Sequence, residues 1–150
     1  MGLFRKSDYK RLIEGGYSPD QATIIESIIR KDPNILKYID STMSVNQIMV
    51  IGKILLNGCE FILQKFNVIS DSNKAVIIEA FNKCEKINAK DWHFIIKIAS
   101  QYDSNILKIV VDKMLFNIDY DFIGAIKTAL DQNIDLNDLA LFKKQNKVTK

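Results

Sequence analysis

Apolar residues recur at helical spacing along most of the chain, and one polar phrase opens two of the recurrences. Ser18-Pro19-Asp20-Gln21 leads into Ile25, Ile28, Ile29 and Ile35. About 26 residues later, Ser44-Val45-Asn46-Gln47 leads into Ile51, Ile54, Leu55 and Phe61. In each phrase the serine can accept from the backbone three residues on while the glutamine reaches back, a capping box that starts a helix. Gly15-Gly16 predicts the end of a short helix before the first phrase, and Pro19 suits a first helical turn. Asp32-Pro33 offers a second start, so the first unit reads as two sharply angled helices over about 18–31 and 33–40.

The second unit repeats the plan. Its first helix is predicted to close at Asn57-Gly58 and its second to run from Cys59 to about Phe66. A third unit starts at Ser70-Asp71-Ser72-Asn73, with Ile77, Ala80, Phe81 and Ile87 in the apolar slots. Lys74 stands where the earlier units have Ala22 and Ile48, a swap that stacked units tolerate when buried positions still match. From Asp91 the spacing changes. A helix over about 91–101 carries Phe94, Ile95, Ile98 and Ala99 on one stripe. Asp103-Ser104 can cap the next, whose stripe of Ile106, Ile109, Val110, Met114 and Leu115 runs to Asn117. Asn117-Ile118-Asp119 then recurs as Asn133-Ile134-Asp135, each predicted to open another helix.

The pattern predicts an all-α fold: about nine or ten short antiparallel helices in a helical-hairpin repeat or an irregular bundle. One domain is expected over residues 1–150. It divides into a short basic N-terminal helix (1–16), hairpin repeats (17–89), further helix pairs (90–142) and a basic tail (143–150).

The run Gln21-x3-Ile25-x2-Ile28-Ile29, followed by Ile35-Leu36-Lys37-Tyr38-Ile39-Asp40, resembles the short helical-hairpin repeats of bacterial mobile-element proteins. In those repeats Gln opens the long helix, Gly or Asn closes it, and an Asp-aliphatic pair opens the short one. Asn57-Gly58 and Asn133-Ile134-Asp135-Leu136 fit; Lys31-Asp32-Pro33 departs at the turn. The resemblance covers about two-thirds of the chain. It implies a helical scaffold used for interactions and carries over no site residue.

Composition narrows the class. At 150 residues and 47% hydrophobic, the chain can bury a core without covalent staples. Cys59 and Cys84 fit neither a disulfide framework nor a CxxC site, and read as buried thiols of a reducing compartment. Neither a signal-peptide run nor a stretch of about 18 apolar residues is present, so a cytoplasmic protein with no membrane role is expected.

The net charge of +3 is unevenly placed. Arg5, Lys6, Lys10 and Arg11 crowd one end; Lys143, Lys144, Lys147 and Lys150 crowd the other. With Asp8 as the one acid among them, the ends together carry about +7 and the body about −4. The ordinary reading of such ends is solvated termini; the functional one is an electrostatic foot for nucleic acid.

Candidate chemistry is thin. His93 is the single histidine and reads as a partly buried capping or packing residue beside Trp92. Asp131 to Asp138 places oxygen ligands at positions one, three, five and seven of a calcium loop, but Leu136 and Phe142 occupy the required Gly and Glu positions. Asp135 as a helix N-cap explains those acids better. Gly15-Gly16 lacks the lysine and hydroxyl of a phosphate loop, and Asp119 and Asp121 are two apart, so they point away from each other on a helix. No catalytic residue, metal ligand or cofactor is expected.

Tyr17, Tyr38, Trp92, Tyr102 and Tyr120 fall at helix ends and turns, and aromatic residues there are the types that anchor protein interfaces. The reading favoured is a non-enzymatic protein–protein interaction module. In its specific version a mobile-element or phage protein binds a host protein, such as a defence nuclease, to inhibit or recruit it. The alternative is a nucleic-acid-binding accessory protein contacting its ligand through Arg5, Lys6, Lys10, Arg11, Lys143, Lys144 and Lys147. A third reading, an enzyme built on aspartates and His93, has the least support. The sequence leaves homo-oligomerisation and the partner's identity open.

Overall fold

Ser18, Ser44 and Ser70 each cap a helix, their hydroxyls accepting from the backbone N–H of Gln21, Gln47 and Asn73. In the first two the glutamine side chain also accepts from the serine N–H, completing both capping boxes. A computed structural model describes residues 7–143, and it is all-α, with no strand among the described residues. The α-helices are α1 (Asp8–Glu14), α2 (Pro19–Ile29), α3 (Val45–Leu56), α4 (Glu60–Gln64), α5 (Asp71–Lys83), α6 (Ala89–Gln101), α7 (Ser104–Val111) and α8 (Tyr120–Asp131).

Helix ends follow the local chemistry of the sequence. Gly16 and Gly58 adopt φ of 102° and 74°, and the amides that follow them reach back five residues to Leu12 and Ile54. Asn133 does the same after α8 at φ 59°, with Ile134 N–H bonded to the Ala129 carbonyl. Asp103 and Asp119 cap α7 and α8 as their positions suggest, and Asp135 caps a short turn over Leu136–Asp138.

Four elements differ from expectation, one of them being that Asp135 opens only the short turn Leu136–Asp138 and not a helix. The segment after Asp32 is a five-residue 3₁₀ turn, Pro33–Lys37, rather than a helix to Asp40. Short 3₁₀ runs are what a proline start gives when only Ile35 is buried to extend it. Helix α4 stops at Gln64 and a 3₁₀ turn, Phe66–Val68, follows. Helix α7 does not continue regularly to Asn117: over Asp112–Phe116 it widens into a π turn.

Packing runs along the chain. Helix α1 packs on α2, α2 on α3, α3 on α5 and α5 on α7, while α4 touches α3 and α6, and α6 lies on α7. One apolar cluster threads them, from Leu12 to Phe142, with Ile25, Ile48, Ile54, Ile77, Phe81, Trp92, Ile98 and Leu107 fully buried. Gly52 lets α3 approach α2 closely: a Cβ there would lie 2.5 Å from Ile28 Cδ1. Both cysteines are free and buried, and burial pushes both thiols above their ordinary range.

Polar side chains tie each layer to the next. Gln21 on α2 donates to the carbonyls of Ser41 and Met43, just before α3. Lys53 on α3 donates to the carbonyls of Phe81, Asn82 and Cys84 at 2.8, 3.2 and 2.9 Å, closing the end of α5. Asn73 on α5 donates to the carbonyls of Ala99 and Tyr102 where α6 ends. Tyr102 in turn accepts from Leu136 N–H at 3.1 Å.

Lys53 supplies the one charged group in this set, and helix carbonyl ends favour a cation. Replacing it with methionine keeps the stem and removes three charge-assisted bonds. Lys53→Met is expected to cost about 2 kcal/mol in a denaturant titration. A cost near zero would show that water serves those carbonyls equally well.

Candidate functional site

The apolar side chains left outside the core are not evenly scattered. Phe116, Ile118 and Tyr120 are exposed by 43%, 51% and 79%, three large residues within one five-residue segment. That segment begins at the end of the π turn and ends at the first residue of α8. Phe116 lies two residues past the buried Met114, on the helix face away from the stripe of Val110, Val111 and Met114.

Its backbone is held from both sides. Asn117 donates its N–H to the Asp112 carbonyl at 2.7 Å and its side-chain amide to the Asp112 carboxylate at 2.7 Å. Asp119 N–H reaches the Lys113 carbonyl at 3.0 Å, and the Asp119 carboxylate accepts from Phe122 N–H at 3.1 Å. The three apolar side chains therefore stand on a fixed frame.

Beside them, α5 and α7 enclose an open cleft of about 520 Å³. Phe116 forms one wall; Val76, Ala80 and Val111 supply further apolar surface, with Lys108 and Asp112 at the rim. Lys83 pairs with Glu79 at 2.9 Å on the α5 side, and that lysine, with Lys108 adding to it, holds the Glu79 carboxyl below its usual range. A smaller cleft of about 330 Å³ lies between α2 and α3, where Met49 and Leu56 are half exposed.

The five aromatic residues singled out by sequence do not converge. Trp92 is fully buried against Phe81, ring centroids 4.9 Å apart, and presents nothing to a partner. It lies one and two helical turns from Ile95, Ile96 and Ala99, so it belongs to the buried stripe of α6, which corrects its assignment to the surface. Tyr17 is half-buried, and burial followed by the nearby Asp40 raises its hydroxyl pKa. Tyr38 is half-buried and donates to Glu60 at 2.6 Å; that bond, then burial, raises its pKa. Tyr102 spends its hydroxyl on Leu136. Tyr38, Tyr102 and Tyr120 line three different hollows. Only Tyr120 offers most of its surface to a partner.

His93 is exposed and stacks flat on Phe61, centroids 3.7 Å apart at 8°. It caps nothing; Asn88 caps α6 through the N–H groups of Lys90 and Asp91. Asp135 gives its carboxylate to Asn137, backbone and side chain. No group of three or more His, Cys, Asp or Glu residues is placed to hold a metal among the described residues. No helix among them is long and apolar enough to cross a membrane.

Of the basic residues proposed for nucleic acid, Arg5, Lys6, Lys144 and Lys147 lie outside the described residues. Lys10 and Arg11 are exposed on α1, which packs on α2, whereas Lys143 follows Phe142, which packs edge-on against Phe122 of α8. The described basic residues thus belong to the two extremes of the packing order.

Compared with known protein families, curated proteins and solved structures, the chain matches none. Phe116 and Ile118 escape sequence reasoning because the apolar stripe from Ile106 to Leu115 includes neither of them. The one signal available was the recurring Asn-Ile-Asp phrase, which marks the turn without showing which way Phe116 points.

Proposed function

We propose that the chain is a non-enzymatic protein-binding module. The observation that carries this reading is the concentration of Phe116, Ile118 and Tyr120 on a hydrogen-bonded frame beside the α5–α7 cleft. Large apolar and aromatic side chains held in place bind with little ordering cost, and such residues dominate the energy of protein interfaces. Clustered exposed apolar surface of this kind marks interaction sites in soluble domains. In its specific form, which rests on the resemblance of the Gln21 and Gln47 units to mobile-element repeats, the chain binds a host protein to inhibit or recruit it.

Affinity capture from a lysate of the source cells, with and without nuclease, tests the reading. One stoichiometric protein that survives both nuclease and moderate salt is expected. Recovery of nucleic acid instead, released as salt rises, would overturn it in favour of the basic ends.

A further inference from the structure

The surface around Tyr120 has a definite sign of charge. Asp112, Asp119 and Asp121 lie on or beside the exposed segment, with Lys113 as the cation among them. Among the described residues Asp112 and Asp119 accept from neutral donors, the Asn117 amide and the Phe122 N–H, and those contacts do not cancel their charges. Asp121 is exposed. At the other end of the segment, beside Phe116, Lys83 is paired with Glu79 and Lys108 shares the cleft with Asp112, which leaves Asp119 and Asp121 against Lys113. The surplus charge at the Tyr120 end is therefore negative.

Shape adds the second constraint. Tyr120 and Ile118 are the most exposed side chains of the segment, and they edge an open surface hollow together with Lys113 and Asp119. Aromatic and aliphatic side chains exposed to this degree bury the most area by entering a partner's pocket.

We propose that Phe116, Ile118 and Tyr120 form a preorganised ridge that enters an apolar pocket of a protein partner, and that lysines or arginines rim this pocket to face Asp119 and Asp121. The inference rests on the protein-binding reading and gives it a surface and a partner chemistry. Apolar anchors supply residence time, and the acidic flank supplies steering, which falls with ionic strength.

A photo-crosslinking residue, p-benzoylphenylalanine, placed at position 120 or at position 56 of the full chain in the source cells tests this. Leu56 is half exposed on α3, well separated in the packing order from α8. The expected result is one protein captured from position 120 and not from 56, through a peptide bearing apolar residues and at least two Lys or Arg. With that protein purified, Tyr120→Ala and Asp121→Lys are each expected to weaken binding about tenfold or more. Leu56→Ala leaves binding unchanged, and thermal melts of all three variants stay near the parent.

Capture from position 56 alone overturns the ridge and leaves the protein-binding reading standing. Capture of nucleic acid from position 120, or of nothing from either position, counts against both. Capture of a second copy of the chain, or binding indifferent to Asp121→Lys, overturns the basic-rimmed partner.

Discussion

Asn73→Ala is expected to destabilise the fold by about 3 kcal/mol, lowering the melting temperature by roughly 6–12 °C for a chain of this size. Asn73 is 2% exposed and uses its whole side chain. Its amide donates to Ala99 and Tyr102 at 2.9 and 2.8 Å, and its carbonyl oxygen accepts from the Ser104 hydroxyl at 2.8 Å. Alanine deletes all three bonds. It also strands the Ala99 carbonyl, buried at the end of α6 where no later helical amide reaches it. Gln47→Ala is the control, because Gln47 occupies the same third position of its helix, is exposed, and makes only the capping bond. It is expected to cost 1 kcal/mol or less, roughly the worth of half a capping box. Equal costs for the two variants would show that the three long-range bonds of Asn73 add no more than a single capping bond.

Asn73→Asp sharpens the test with pH. A carboxylate aimed at two carbonyls is repelled, so folding raises the pKa of the new acid above its unfolded value. Stability is then retained at pH below the unfolded pKa and lost as pH rises through the folded pKa. The variant is therefore expected to melt nearer to the parent in acid than at neutral pH. The reverse trend would mean that the carboxylate finds a cation or a donor in place of the carbonyls.

What the sequence made legible was local. The Ser18 and Ser44 boxes, the glycine closures at Gly16 and Gly58, and the Asp103, Asp119 and Asp135 caps each depend on residues within five positions, and each is present. The all-α class followed from those signals and from the apolar stripes. Asn73 shows where legibility stops. Its place in the capping phrase is local, but its partners lie 26 to 31 residues away and no spacing rule points to them. Lys53 is the same case, an ordinary lysine on a helix until α5 brings three carbonyls to it.

The surface was less legible than the fold, for a related reason. Aromatic residues at helix ends are ambiguous, because the end of a helix can face either the core or water. Tyr120 and Trp92 both occupy first turns, yet one is 79% exposed and the other is not exposed at all. The stripe Trp92, Ile95, Ile96 and Ala99 was available in the sequence and places Trp92 inside; grouping it with the tyrosines by residue type overrode that periodicity. Phe116 was missed for another reason. It lies outside the stripe of Ile106, Ile109, Val110, Met114 and Leu115, and the π turn over Asp112–Phe116 depends on a backbone register that hydrophobic spacing does not encode.

Trp92 yields the other large effect. Among the described residues its Nε1 is the buried side-chain polar atom without a hydrogen-bond partner, in a ring that is completely enclosed. Two opposing terms meet at this residue. The ring contributes packing against Phe81, which itself sits beneath the Lys53 ammonium at 5.6 Å, so Trp92 anchors the contact between α5 and α6. The unpaired N–H subtracts from that, since water bonded it in the unfolded chain. Trp92→Ala is expected to cost about 3–5 kcal/mol by opening a cavity in the core. Trp92→Phe removes the orphan donor together with part of the ring, and the two changes offset, so its cost is expected near 1 kcal/mol. Circular dichroism melts of both variants separate the terms without relying on tryptophan emission. If Trp92→Phe proves as costly as Trp92→Ala, the indole N–H has a partner, and an enclosed water is the group small enough to supply one.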